Sequence, residues 1–287
     1  MKKLSKILVI ALVVTTLAGA CVAFAACDDN GGADVAKVIN YKLTEEQYAF
    51  CVNKNDTELL NQVNTFMSAI KADGTFDTII NKYFGDGTPS PVSSASSGTA
   101  NALVVATNAA FEPFEYTEGN YYYGVDMEIA QLLAEYLGRP LVINNMDFDS
   151  VITSVEGGQA DIGMAGLTIT PSRQEQVTFA DPYYEASQVV VAKADDSTFD
   201  NCSSAEDVAA ILEGFGSDVV IGYQNGTTGG FYVNGDEDWG FDGLTATGRG
   251  YRNASLAIQD MINGNIDYVI VDEAPASKIV EQMNSLA

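Results

Sequence analysis

At 287 residues the chain is long enough for two domains of ordinary size, and a composition of 47% hydrophobic against 18% charged residues favours a packed fold over disorder. With 14 Lys+Arg against 39 Asp+Glu the formal charge is -25, a surface that repels nucleic acid and anionic lipid headgroups. Histidine is absent, which excludes Ser–His–Asp, Cys–His and zinc–His sites, weakens the case for catalysis, and leaves neither a metal nor another cofactor expected.

The chain opens Met1-Lys2-Lys3-Leu4-Ser5-Lys6, followed by an apolar run over 7–17 and a small-residue exit. That order predicts a secretory signal peptide over 1–26. Read on to Ala26 the run would be long enough for a membrane span, but small residues interrupt it and polar ones follow. Leu17-Ala18-Gly19-Ala20-Cys21 and Phe24-Ala25-Ala26-Cys27 both resemble a bacterial lipobox, whose Cys is acylated. The polar stretch after Cys27 suits a tether over 27–34, so Cys27 (or Cys21) is expected to anchor the protein to the outer face of the cell membrane. Cys51 reads as a buried thiol rather than a disulfide partner of Cys202.

Two strand-like pieces, 35–43 and 48–52, come next. Leu59, Leu60, Val63, Phe66, Met67 and Ile70 then share one helical face, with Asp56 or Thr57 as cap and Gly74 as stop; a shorter helix carries Phe76 to Phe84. Residues 85–99 are rich in Gly, Ser and Pro and read as a flexible linker. Beyond it, strands are predicted over 103–107, 141–144, 162–165, 188–193, 219–223 and 268–271. Helices are predicted over 127–137, 148–156, 171–177, 205–212, 254–262 and 274–283. Such alternation argues for an α/β architecture with largely parallel sheets, in which ligands bind beyond the carboxyl ends of the strands.

Three polar clusters fall at such ends. In Thr168-Ile169-Thr170-Pro171-Ser172-Arg173, Thr170 is a helix cap, Pro171 fits the first helical position, and Arg173 offers a rigid fork matched to a carboxylate. Gln224-Asn225-Gly226-Thr227-Thr228-Gly229-Gly230 offers close backbone donors and hydroxyls, and no Lys follows the glycines as a phosphate loop requires. Asp272 ends an apolar strand, where a carboxylate needs a partner or water. Each cluster has a plain structural reading, namely a capped helix, a turn and a solvated strand end. Together they suit a zwitterion, with Arg173 for a carboxylate and Asp272 for an ammonium.

Val104 to Tyr116, Gly124-Val125-Asp126-Met127-Glu128, Met146-Asp147-Phe148, Gly158-Gln159-Ala160-Asp161, Thr168 to Arg173, Phe179 to Tyr184, Gly226-Thr227-Thr228 and Gly264 to Asp272 resemble, in order, the family 3 extracellular solute-binding proteins, which serve ATP-binding-cassette importers of polar amino acids. The resemblance implies a two-lobe, periplasmic-binding-protein-like type II fold with a hinge and a central cleft. It implies that Arg173 with the backbone of Thr168 and Thr228 holds an α-carboxylate, and that Asp272, the Gly166 carbonyl and the Thr168 hydroxyl hold an α-ammonium. Phe111 and Phe148 would flank the side chain, with Asn108 and Gln224 at its polar end.

Members of the family follow the Asp272 strand with one more strand, a return across the hinge and two helices. Here Leu43 to Phe50, the helix from Asn55 to Gly74, and Lys82-Tyr83-Phe84-Gly85 resemble that ending, placed in front. A circular permutation is therefore expected: residues 35–43 complete lobe two, 45–186 form lobe one with the linker 85–99 inside it, and 187–287 form lobe two. The expected function is capture of a free polar L-amino acid, glutamine first and cystine or a basic amino acid next. Expected partners are a membrane permease and ATPase, with no nucleic acid and a monomeric receptor. The rivals are a dehydratase-like enzyme using Glu112 or Glu115 on a small carboxylic acid, and a surface amino acid sensor.

Overall fold

The computed structural model describes residues 33–287; the signal-peptide and lipidation readings, with Cys21 and Cys27, lie outside the described residues. The described chain begins with β1 (Ala36–Ile39), β2 (Glu46–Tyr48) and β3 (Cys51–Asn53). One strand over 48–52 is expected, but β2 and β3 belong to different sheets, and Ala49 N donates to Leu167 O (3.0 Å) between them. Residues 48–52 are all buried, so their apolar run carried no sign of the break.

Next come α1 (Thr57–Ala72) and α2 (Thr75–Phe84). Asp56 caps α1 by accepting from Leu59 N (2.9 Å), and Leu59, Val63, Phe66, Met67 and Ile70 bury its apolar stripe. Gly74, in the left-handed region at φ 83, separates the two helices.

β4 (Leu103–Thr107) leads into a three-stranded meander of β5 (Ala110–Phe111), β6 (Glu115–Glu118) and β7 (Tyr121–Tyr123), then α3 (Val125–Leu137) and β8 (Leu141–Asn145). A 3-10 turn (Phe148–Ser150) runs into α4 (Val151–Glu156), followed by β9 (Ile162–Gly163), α5 (Pro171–Gln174) and β10 (Val177–Phe179). The helix expected over 171–177 is thus a single turn, because Val177, Thr178 and Phe179 pair with β3 instead. The remainder is β11 (Tyr184–Ala186), β12 (Gln188–Lys193), α6 (Ala205–Glu213), β13 (Val220–Gln224), α7 (Thr228–Asn234), β14 (Thr247–Tyr251), α8 (Ala254–Ile262), β15 (Tyr268–Asp272) and α9 (Glu273–Ser285).

Two five-stranded sheets define two lobes, in the orders β10-β3-β9-β4-β8 and β1-β12-β15-β13-β14. Both are mixed rather than largely parallel: β4 is parallel to β8 and β9, and β13 to β14 and β15, but β3 and β12 run antiparallel to both of their neighbours. The reason is the connection between lobes. β3 and β12 each start beside the crossing segments and run away from them, against strands whose carboxyl ends face the cleft. The crossings themselves pair as a two-stranded ribbon, Tyr48 opposite Tyr184 and Glu46 opposite Ala186.

The second lobe's sheet is covered on both faces, as its unbroken apolar strands require. Val189, Val191, Val269 and Val271 pack to one side, and Val190, Ala192, Tyr268 and Ile270 to the other. The segment expected to be a flexible linker is instead pinned along the first lobe. Glu128 of α3 accepts from Lys82 Nζ (2.5 Å), Tyr83 OH (2.7 Å) and Ser90 N (3.0 Å). Val92 is buried and bridges to Tyr122, and Ala95 N donates to Leu141 O (2.8 Å) at the sheet edge.

Candidate functional site

Arg173 sits on the one-turn α5, where Thr170 Oγ1 accepts from Arg173 N (3.2 Å) and Pro171 starts the turn. The residue is only 6% exposed. It donates to Thr168 O (2.6 Å) from its own lobe and to Gly226 O (2.9 Å) from the other, and lies over the Phe148 ring, 5.4 Å from the centroid. Burial pulls its pKa down, and the neighbouring Glu46 and Asp272 carboxyls oppose that.

Asp272 closes β15 at the far side of the same cleft. Its Oδ1 accepts from the Tyr48 hydroxyl on the crossing ribbon. Burial first, then the nearby Glu46, pushes its carboxyl up to about 7. The predicted pair of opposite charges is therefore brought to one cleft, with one member on each lobe.

Between them stands a residue the sequence reading did not single out for the site. Glu46 is 3% exposed and accepts from Thr44 Oγ1 (2.7 Å), Thr168 Oγ1 (2.7 Å) and Thr228 Oγ1 (2.9 Å). Thr168 belongs to the first lobe and Thr228 opens α7 of the second, so one carboxyl ties both lobes to the ribbon. Gln188 Nε2 adds a bond to Thr228 Oγ1 (2.9 Å), and Gln188 N donates to Thr44 Oγ1 (2.9 Å). A cue was present: β2 alternates buried, exposed, buried, so Glu46 shares the inward face with Tyr48.

Asn108 and Gln224 also meet across the cleft. Gln224 Nε2 donates to Asn108 Oδ1 (3.0 Å), while Asn108 Nδ2 donates to Met146 O (2.6 Å). Gln224 Oε1 and Gln188 Oε1 are buried acceptors without a protein partner. Arg252 of the second lobe pairs with Asp147 of the first at the rim. Gln224 to Gly230, read as a loop, is a strand end followed by a helix start. Its Gly226 (φ 74) lies so close to the first lobe that a Cβ there would come within 3.0 Å of Asp149 Cβ.

Phe111 packs over Gly166, where a Cβ would meet its ring at 2.9 Å. Gly166 N donates to Asp126 Oδ2 (3.0 Å), and Tyr183 OH to Asp126 Oδ1 (2.6 Å). Glu115 is wholly buried beside this group with both carboxyl oxygens unpartnered, and burial followed by Asp126 holds it protonated well above the usual carboxylate range. Burial likewise raises Asp126 to about 7. Of the acids named as candidate catalysts, Glu115 is thus part of this buried group, and Glu112 accepts from Gln282 Nε2 (2.6 Å) near the surface. Cys51 is a free, buried thiol with its pKa pushed up to about 12 by desolvation, too poor a thiolate for nucleophilic work. Among the described residues no His/Cys/Asp/Glu group has metal-site geometry, and no helix is long and apolar enough to cross a membrane.

Comparison with known proteins adds to this geometry. The putative ABC transporter arginine-binding protein 2 of Escherichia coli (strain K12) is 31% identical over 195 residues, covering 68% of this chain and 72% of that protein. The arginine-binding extracellular protein ArtP of Bacillus subtilis (strain 168) is 40% identical over 102 residues, 36% of this chain and 40% of ArtP. An ancestral arginine-binding protein superposes with a TM-score of 0.54 in its arginine-bound structure and 0.53 in its glutamine-bound structure, at 32% identity. The match covers 63% of this chain and 74% of that one in the first, and 64% and 75% in the second. The model of the bacterial extracellular solute-binding proteins, family 3, matches residues 3–86 and 103–279. The chain belongs to the bacterial extracellular solute-binding proteins, family 3.

Proposed function

We propose that this protein is the receptor of an ATP-binding-cassette importer and closes its two lobes around one free L-amino acid. The observation that carries the reading is the buried Arg173 on one lobe set against the buried Asp272 on the other, which suits the two charges of an α-amino acid. Arg173, with the Thr168 and Thr228 backbone, takes the α-carboxylate. Asp272, the Gly166 carbonyl and the Thr168 hydroxyl take the ammonium. Phe111 and Phe148 flank the side chain, and Asn108 with Gln224 receives its polar end. Gln224 Oε1, a buried acceptor without a partner, favours a side chain that ends in N–H donors. Glutamine and arginine both meet that requirement, and the arginine-binding relatives support the second. Calorimetry of the purified receptor against the common L-amino acids tests the proposal: one or a few should bind with a 1:1 ratio, and binding of none overturns it.

The receptor is exported and held to the outer face of the membrane through Cys27 or Cys21, where a permease and ATPase collect its cargo. Its family order is circularly permuted. β1 supplies an edge of lobe two, β2 crosses the hinge, and β3, α1 and α2 complete lobe one, a sequence of roles that in the family follows the Asp272 strand. The pinned segment 85–99 supports the same reading, since it joins α2 to β4 along one lobe. A chain re-ordered to carry residues 35–84 after Ala287 should fold and bind the same amino acid within about threefold, because permutation at neighbouring surface ends leaves packing intact. Failure of that chain to fold or bind would contradict the permutation.

A further inference from the structure

We propose that Glu46 sets the charge class of the ligand: its carboxylate, held between the lobes beside Arg173 and Asp272, leaves the ligand site with one net negative charge, which an amino acid with a cationic side chain neutralises. The inference rests on the amino acid receptor reading and deepens it.

Three formally charged side chains meet at the cleft floor, Arg173, Asp272 and Glu46, each at most 6% exposed. Glu46 accepts from three hydroxyls and donates to nothing, a pattern that suits the carboxylate form. A zwitterion bound to Arg173 and Asp272 brings one positive and one negative charge, so it cancels nothing of this excess. With Arg173 at plus one and both carboxyls ionised, as Asp272 must be to hold the ammonium, the remainder is minus one unless the side chain supplies a cation. In a cleft shut to water, an unbalanced charge is far costlier than a balanced one. Other charges nearby do not reverse the count. Arg252 at the rim is paired with Asp147, and the Glu115–Asp126 group behind Gly166 can add only negative charge.

Position matters as much as charge. Glu46 bonds to Thr168 from one lobe and Thr228 from the other, so its full set of bonds forms only when the lobes are together. It therefore tests the ligand's charge in the closed state, where screening is weakest.

Arginine and citrulline separate this idea from simple shape selection, because they match in length and both end in N–H donors but differ by one charge. Wild-type protein should bind arginine at least tenfold more tightly than citrulline. Glu46→Gln should bring the two within about threefold, chiefly by weakening arginine, and Glu46→Asp should restore most of the preference. If Glu46→Gln does not fold, the wild-type ratio and Glu46→Asp still decide the matter, since citrulline binding as tightly as arginine overturns the proposal. A ratio unmoved by Glu46→Gln in a folded protein also overturns it and leaves the receptor reading standing. If wild-type protein binds no amino acid, the receptor reading falls and this inference with it.

Discussion

Arg173→Ala is expected to weaken capture of the preferred amino acid by roughly 100-fold or more, the cost of removing one partner of a buried, charge-assisted contact. The side chain bridges Thr168 O and Gly226 O, so the variant loses a tie between lobes as well as the proposed contact to the ligand carboxylate. It also leaves Glu46 and Asp272 without the cation that faces them. Arg173→Lys keeps the charge and loses the fork, and should lie between wild type and Ala, because a point charge cannot hold two carbonyls and a carboxylate with the same geometry. Titration calorimetry gives the affinities, and circular dichroism separates lost binding from lost fold. Affinity within threefold of wild type in a folded Arg173→Ala protein would remove Arg173 from the site.

The second large effect is on pH. Asp272, pushed up to about 7, must be ionised to hold an ammonium, so below pH 7 binding must first expel its proton. Affinity should level off above about pH 8 and fall by roughly tenfold per unit well below pH 7, giving about a 100-fold loss at pH 5. The groups that face Asp272 are Tyr48, Glu46, Gln188, Arg173, Glu115 and Tyr184. Stability of the protein without added amino acid should move the opposite way. Asp272, Asp126 and Glu115 all have folded pKa values above their unfolded ones, so the folded state binds the extra protons. That contribution is complete below the unfolded values and is lost as pH rises through about 7 for Asp272 and Asp126. Melting temperatures without ligand should therefore fall from pH 5 to pH 8 while the shift caused by ligand grows. Parallel trends would contradict the assignment.

How much of this was legible follows from where each residue stands. Arg173, Asp272, Asn108 and Gln224 each occupy a strand end or a helix start, and hydrophobic runs mark those ends clearly. Glu46 was not legible because Glu45-Glu46-Gln47 has the composition of a solvated face, and only its alternation with Tyr48 points inward. The mixed sheets were hidden too, since pairing direction is set by which strands adjoin the hinge and leaves no mark on composition. β14, Thr247-Gly248-Arg249-Gly250-Tyr251, lacks a strand pattern because its glycines face Asn234, Asn225 and Tyr223, where a Cβ would collide. Gly229 and Gly230 made the start of α7 look like a turn. Gly229 is needed because a Cβ there would come within 2.8 Å of both Gln188 Oε1 and Ile270 O.

The central claim is that the cleft grips both charges of an amino acid at once, with Arg173 on one lobe and Asp272 on the other. Titration with the preferred amino acid, its decarboxylated amine and its N-acetyl derivative tests that grip directly, because each analogue deletes one charge. Both analogues should bind at least about 100-fold more weakly than the parent, each leaving a buried charge unpaired. An analogue lacking either charge that binds as tightly as the parent would contradict the account.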